Sequence, residues 1–502
     1  MPALLFAAGD AIQKDVEEAI QATGNNYKKL TLDEKLGQYL QLAVERCSAN
    51  AGCSFGDLRG HITDFIGFGA SIYEPHHLMD VVKKAGTLGL SGIELHTVDL
   101  GGASMPAALE LARKLCADEE RLVLIAGAEA PRGGPASIAY YREVSDTLLE
   151  PTLEKHSEAN LIALYALLAD RFMFETGISA EDAENITAHY RNQAVNNARA
   201  ATCGKALKPG ELRRYLAGIY STPMVAVATD HGVAFLVAHE KVLQRLKDSG
   251  CVKAKTTELF INAVGTSNSH KYVSSRGDFS SPGRLAAKRA FAQVALAPEQ
   301  IDYAWIYDCF TLMLVRQAAD YFDLDPKVAA QSLAAGHVAL SGKRIAVNEQ
   351  GGILNTQAAI ALSAATGLID ILSHAEKNPA AQHFLFGGNG GIDSTNAVAI
   401  LSRSALERKP AVINAEMPPR TLPRPLAEDE KLTLYAAVAV RFNPGSEVPF
   451  ALGAFRRSDG SLCLTRILQA DLTPCTNVES LLRDGTTLRV HRVDGTPFAV
   501  LP

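Results

Sequence analysis

A single tryptophan, no CxxC pair among eight cysteines and no excess of basic residues are what this 502-residue chain has least of. The cysteines stand at 47, 53, 116, 203, 251, 309, 463 and 475. No Cys/His group has zinc-finger spacing, so a structural zinc is excluded, and no metal site is expected. Without a secretory signal an even cysteine count implies no disulfide framework, and free thiols in a reducing compartment are expected. The net charge is −6 and the pI about 6.1, so the basic surface that nucleic acid requires is missing. No apolar run approaches the ~18 residues of a membrane span, and mean hydropathy is only +0.03. The opening MPALLFAAGDAIQKDVEEAI lacks the basic start and small-residue cleavage site of a signal peptide. GxSxG, HExxH, P-loop and dinucleotide GxGxxG patterns are all absent, so nucleotide cofactors are not indicated. With 47% hydrophobic and 21% charged residues, the chain can bury a full core. The expectation is a soluble, cytoplasmic protein of about three domains.

Short apolar runs alternate with amphipathic stretches over residues 1–130. ALLFAAGDA, ITDFIGFGA, GIELHTVDL and RLVLIAGAEA read as strands. KLTLDEKLGQYLQLAVERC, LMDVVKKAGTLG and ASMPAALELARKLCADE read as helices. Such a βαβ rhythm predicts parallel strands covered by helices. Residues 131–223 are rich in helix formers and read as a helical insertion, a place where substrate contacts are often carried. The rhythm resumes over 224–405, where NTQAAIALSAATGLIDILSHAEK predicts one long helix. Two βα halves in tandem suggest an internally duplicated α/β fold. Residues 406–425 are proline-rich and charged, as in an extended linker. Over 426–502, short β-rich runs separated by NPGS, RSDGS and RVDGT predict a small, separate all-β barrel.

Four segments at strand–helix junctions carry candidate chemistry, because α/β folds bind ligands there. Asp99–Met105 runs two glycines into a helix start, so Gly102 and Ser104 either form a tight turn or shape an anion or oxyanion pocket. Asn268–Arg276 is a dense polar run after an apolar strand. His270, Tyr272 and Arg276 can polarise a carbonyl or hold phosphate, or the run is a solvated loop. In IYDCF, Asp308 follows the apolar YAWI and either caps the next helix or serves a site; Cys309 reads as a small buried residue. The glycine-flanked Asn348, Gly388 and Asn389 let backbone approach a ligand closely. His76–His77 reads as a surface pair and Asp230–His231 as a turn.

The order of these segments resembles the thiolase superfamily over residues 30 to 402, above all the sterol-carrier-protein-type thiolases and the type-1 thiolase-like proteins. GGASMPAALELARKLC with RLVLIAGAEA is similar to their nucleophile helix and following strand, and ATDHGVAFLVAHE to their Asp-Gly-Ala strand. IYDCF resembles their His-Asp-Cys-Phe oxyanion segment, NEQGG their Asn-Pro-x-Gly-Gly loop, and FGGNGG their late glycine-rich stretch. HKYVSSRGDFSSP looks like a loop of the type-1 proteins, which also carry a C-terminal nucleic-acid-barrel (OB-like) domain. The resemblance implies a duplicated αβαβα core and an acyltransferase-class protein of lipid metabolism acting on acyl-CoA thioesters. It also puts Gly102 at the acyl-accepting cysteine, Ala358 near the catalytic histidine, Leu385 at the second cysteine, and Tyr307 at the oxyanion histidine. Ordinary thiolysis needs a thiolate and a base, and neither stands there. Steroid side-chain aldolases resemble this scaffold and use tyrosines; their zinc-ribbon partner domain is not matched, since the C-terminal domain lacks zinc cysteines.

The reading is therefore a thiolase-like protein that binds an acyl-CoA thioester and no covalent cofactor, nucleic acid or membrane, as a monomer or homodimer. Tyr307, His270 and Tyr272 are the candidate catalytic residues. Gly102, Ser104, Asp308, Arg276, Asn348, Gly388 and Asn389 are the candidate substrate-binding residues. The alternatives are a retro-aldol lyase on β-hydroxyacyl-CoA and a non-catalytic thioester-binding or scaffold protein. Convergence of Tyr307, Tyr272 and His270 in one pocket would favour catalysis, and divergence a binding role.

Overall fold

The structure is a computed structural model that describes residues 3–68, 79–132, 142, 145–409, 413, 423–444 and 446–502. His76–His77 and most of the expected linker lie outside the described residues. The N-terminal half contributes β1 (Ala3–Ile12), β2 (Asp64–Phe68), β3 (Glu94–Val98) and β4 (Leu122–Glu129). A short hairpin, β5 (Tyr215–Ala217) and β6 (Tyr220–Ser221), precedes β7 (His231–His239) and β8 (Leu259–Asn268). Then come β9 (Tyr303–Trp305), β10 (His337–Leu340), β11 (Lys343–Val347), β12 (His383–Gly390) and β13 (Thr395–Ser402). The last part holds β14 (Lys431–Val440), β15 (Phe450–Arg456), β16 (Leu462–Leu468), β17 (Thr487–Val493) and β18 (Thr496–Val500).

Strand residues alternate between two buried surfaces, as they must when helices cover both faces of a sheet. In β7, Val233, Phe235 and Val237 face one apolar cluster while Ala234, Leu236 and Ala238 face another. In β12, Phe384 and Phe386 face that first cluster and Leu385 faces a third. The shared cluster is the centre of the molecule. Helix α2 (Ser104–Asp118) fills it with Met105, Ala108, Leu109 and Ala112, and α6 (Ala365–Lys377) with Ala365, Leu368 and Ile371. Helix α1 (Leu32–Ala51) covers the outer face of the first half. Helices α4 (Gly283–Ala292) and α5 (Thr311–Phe322) cover the outer face of the second. The layers thus run helix, sheet, helix pair, sheet, helix. Helix α1 shows the local logic: a Thr31–Glu34 capping box starts it and Gly52, in the left-handed region, ends it.

The strands form one hydrogen-bonded order, β10-β11-β9-β12-β13-β8-β1-β7-β4-β2-β3. The halves meet where β1 pairs with β8 through Leu4 and Leu5. The parallel pairing expected of βαβ units holds for β2 with β3 and β4, and for β9 with β11 and β12. The central strands are antiparallel instead: β12 returns as β13 through Gly391–Ser394, too short a link for a crossover.

Two expectations need correction. The long helix over 355–377 is only α6, because the chain from Gln357 to Ser363 is held by distant partners. Thr229 Oγ1 accepts the Ala358 N–H (2.9 Å), Glu129 Oε2 accepts the Leu362 N–H (3.2 Å), and Ile360 takes a positive φ of 41°. The barrel does form: β14-β15-β16-β18-β17 closes on itself in OB-like order. It is not separate, however. Its Val438, Leu452 and Leu464 join the core of the second half, and β14 pairs with β5 of the insertion.

Close helix–sheet approach is required at Gly367, where an added Cβ would collide with the Trp305 ring. Gly367→Ala is expected to destabilise by about 1–3 kcal/mol. A lower urea midpoint at unchanged slope would show it; an unchanged midpoint would mean that the indole moves aside freely.

Candidate functional site

The site begins where β9 stops. The Asn348 side chain replaces a neighbouring strand: its Oδ1 accepts the Ile306 N–H (2.9 Å) and its Nδ2 donates to the Ile306 carbonyl (2.8 Å). Asn348 itself has φ 48°, a conformation that asparagine tolerates better than most residues. The chain turns after this grip and delivers Tyr307, Asp308 and Cys309. Asp308 is fully buried, and its Oδ1 accepts the Ile353 N–H (2.8 Å). Burial pushes its pKa up to about 7, although the Ile353 and Leu354 N–H groups pull the other way. Gly352, with φ 65°, leaves room for this carboxyl group. Asp308 therefore caps the turn Gly352–Asn355 and not α5, the helix that follows it in sequence.

Tyr307 meets the start of α2. Gly101 takes φ 57°, and Ser104 Oγ closes the turn by donating to the Gly101 carbonyl (2.6 Å) and accepting the Leu100 N–H (2.9 Å). A Cβ on Gly102 would collide with Tyr307 Oη and with the Asn389 carbonyl oxygen, so no side chain fits there while Tyr307 keeps its place. Gly388 packs as tightly: its added Cβ would stand 2.8 Å from the Gly102 carbonyl oxygen and 2.9 Å from Pro106. Asn389 donates to Asp393 Oδ1 (2.5 Å).

These groups border a cavity of about 520 Å³ lined mostly by apolar side chains. Its polar lining includes Tyr307, Ser363, Cys309, Tyr165 and Asn389, and Asp99 and Lys271 also border it. Burial pushes the Tyr307 phenol well above its ordinary value, the Cys309 thiol adds to that, and a bond to Ser363 opposes it. Burial, with Cys309, does the same to Tyr165, which donates to the Gly391 carbonyl. Both phenols are therefore hydrogen-bond donors at neutral pH. The Cys309 thiol is likewise pushed up by burial and stays protonated.

Of the residues singled out from the sequence, Tyr307, Gly102 and Asn389 line this cavity. Ser104, Asp308, Asn348 and Gly388 lie behind it and fix its wall. His270 and Tyr272 do not line it; from their run Asn268, Ser269 and Lys271 do. Lys271 stacks over the Tyr272 ring at 5.1 Å. Arg276 is buried and donates to the carbonyls of His270 (2.7 Å), Lys271 (3.2 Å) and Ile392 (2.8 Å), so it ties the loop together and is not exposed for phosphate. Asp230 and His231 stand apart: Asp230 accepts from Tyr27 and His231 meets Asp10.

Sequence reasoning missed Ser363, Tyr165 and Glu129. Ser363 sits in the stretch that reads as helix, and Tyr165 lies on the insertion helix α3 (Leu161–Thr176), which carries no motif. Glu129 follows an apolar run in sequence as Asp308 does, a signal that could have found it. Burial pushes its carboxyl well above the ordinary value, and its Oε2 accepts the Leu362 N–H. Among the described residues one acidic cluster has metal-ligand spacing, Asp64, Glu94 and His96. Arg121 already pairs with Asp64 (2.9 Å) and Glu94 (3.1 Å), supplying the positive charge there.

Residues 265–403 match the family described as Thiolase C-terminal domain-like. No curated protein matches the chain. A monomeric SCP2-thiolase-like protein type 1 from Mycobacterium smegmatis superposes with TM-score 0.68 at 17% identity, covering 100% of this chain and 99% of its own. An Ltp2-ChsH2(DUF35) aldolase superposes with TM-score 0.60 at 17% identity, covering 80% and 97%. Human mitochondrial 3-ketoacyl-CoA thiolase gives 0.55 at 12%, covering 80% and 99%. No helix among the described residues is long and apolar enough to cross a membrane.

Because Asp308 is an acid whose pKa rises on folding, its contribution to stability is present below the unfolded value of 3.8 and is lost as pH rises towards about 7. Relative to wild type, Asp308→Asn should therefore flatten the fall in stability between pH 4 and 7. Denaturation midpoints measured across that window check this; parallel curves for the two proteins would place the carboxyl in solvent.

Proposed function

From a thiolase-like fold whose residues 265–403 match the thiolase C-terminal-like family, we propose that the cavity binds an acyl-CoA thioester without covalent capture. The acyl group lies among the apolar side chains, and the thioester carbonyl accepts a hydrogen bond from Tyr307. The observation that carries this reading is the exchange at the start of α2. The volume a nucleophilic side chain at 102 would need holds the Tyr307 hydroxyl. An acyl-enzyme needs a nucleophile. A buried phenol, by contrast, can stabilise negative charge on a thioester oxygen by donation alone. The divergence of His270 and Tyr272 from the cavity supports a binding role over the catalytic trio expected from the sequence. Lys271 at the cavity border supports contact with the anionic part of the ligand. The chain acts as a monomer or homodimer.

A second reading, a carbon–carbon lyase, is favoured by the same donor and by the likeness to an aldolase. In a retro-aldol step the β-hydroxyl proton passes to a base and the Cα–Cβ bond breaks. The β-carbon leaves as a carbonyl compound, the electron pair of the broken bond forms the thioester enolate held by Tyr307, and the base returns its proton to the α-carbon. The protonated phenols cannot take the first proton. Asp99 is the one carboxylate among the described lining residues, and is the candidate acceptor.

Titration calorimetry with a panel of acyl-CoAs tests the proposal, with micromolar or weaker binding expected. Tyr307→Phe should weaken binding by about two- to tenfold, one hydrogen bond's worth. Where a β-hydroxyacyl-CoA turns over, the same change should slow it by ~10²–10³. Incubation with acetyl-CoA should leave no acetyl adduct in the intact mass, and acetoacetyl-CoA should not be thiolysed. Absence of heat with every thioester would sink the reading, and an acyl adduct would point to Cys309 or another thiol.

A further inference from the structure

The wall of the cavity that faces the insertion is aromatic. Phe310, three residues after Tyr307, is packed between Tyr165 of α3 (4.3 Å, stacked) and Tyr220 of β6 (4.8 Å). Both partners belong to the insertion, and both of their elements are fastened to the barrel strand β14. Five residues after Tyr165, roughly 140° round the helix, Asp170 accepts the Ala437 N–H of β14 (3.0 Å). Asp170 also receives two parallel donors from Arg483 of the barrel, Nε at 3.0 Å and Nη2 at 2.6 Å. The next residue, Arg171, lies 4.1 Å over the Tyr435 ring of β14. At the other end of the helix, its N-cap Asn160 donates to the Phe442 carbonyl (2.7 Å) just beyond β14. The β5–β6 hairpin joins the same strand through Ala217 opposite Val440.

We infer that the barrel is the brace of the acyl cavity, with Arg483 and Asp170 acting as positioning residues for acyl-chain selectivity. The inference rests on the cavity being the acyl site. A bidentate guanidinium–carboxylate pair fixes direction as well as distance, and here it fixes the roll of α3 and so the tilt of Tyr165 against Phe310. Neither residue lines the cavity. Their effect on ligand must pass through the shape of the aromatic wall, and only the acyl chain meets that wall.

The experiment is calorimetry of the full chain with free CoA and a ladder of straight-chain acyl-CoAs, for wild type, Arg483→Met and Arg483→Lys. In wild type, affinity should rise with chain length until the cavity is full. Arg483→Met should lose about five- to tenfold for the longer chains, within the range of coupling across a packed network, and nothing for free CoA. Arg483→Lys, which keeps the charge but not the fork, should fall between. A folded Arg483→Met protein with the wild-type dependence on chain length would overturn the brace. A measurement on the unaltered chain covers the case in which the variants do not fold: decanoyl-CoA, and not free CoA, should slow amide exchange in β14. Unchanged exchange there would overturn the inference equally. Failure of wild type to bind any acyl-CoA is a different result, and it removes the reading of the cavity itself.

Discussion

Tyr307 and residue 102 compete for one volume, and the site is built around the outcome. The register of Tyr307 is set by the grip of Asn348 on both polar groups of Ile306. The phenol then ends against the first turn of α2, where a Cβ on residue 102 cannot coexist with it. The same turn is pressed from the other side by β12, whose Gly388 admits no side chain for the same reason. Helix start, strand end and glycine-rich strand are thus fitted to a phenol packed against residue 102. A cysteine placed at 102 has no room while Tyr307 remains, so an exchange at either position requires one at the other.

The wall behind that contact is held by buried polar groups with defined partners. Asp393, at φ 49°, pairs with Arg316 (2.8 Å) and accepts from Gln317, Asn396 and Asn389. Glu129 pins the Leu362 N–H, and Asp308 the Ile353 N–H. Removing one partner of such a set leaves a buried polar group unpaired, which costs more than the bond itself contributes. These bonds hold the backbone around the cavity at Asn389, Ile353 and Leu362. A mostly apolar cavity with a few polar groups in its wall has the character of a small-molecule site.

The two-faced strands were legible because alternation and continuous apolar runs are local properties, and the NPGS, RSDGS and RVDGT turns marked the barrel for the same reason. Gly102 and Tyr307 were legible through the order of the motifs. The residues that complete the cavity were not. Ser363 lies in a run of alanines and leucines with helical composition. What breaks the helix is a pair of hydrogen bonds to Thr229 and Glu129, more than 120 residues away. His270, Tyr272 and Arg276 drew attention by chemical type. Arg276 ties its own loop to the β12–β13 turn, donating to the carbonyls of His270, Lys271 and Ile392.

The division into halves, insertion and barrel also reads differently in space. A two-stranded hairpin is marginal alone, and β5–β6 gains its sheet from the barrel. Val440, at the end of β14 beyond its pairing with β17, gains a neighbour in return. Helix α3 buries Leu164, Ala166 and Leu167 in the cluster that also holds Val438 and Leu452 of the barrel and Leu314 and Val315 of α5. One core therefore serves three stretches of sequence. The barrel and the cavity wall cannot be packed independently, because α3, which carries Tyr165, shares its core with Val438 and Leu452 of the barrel.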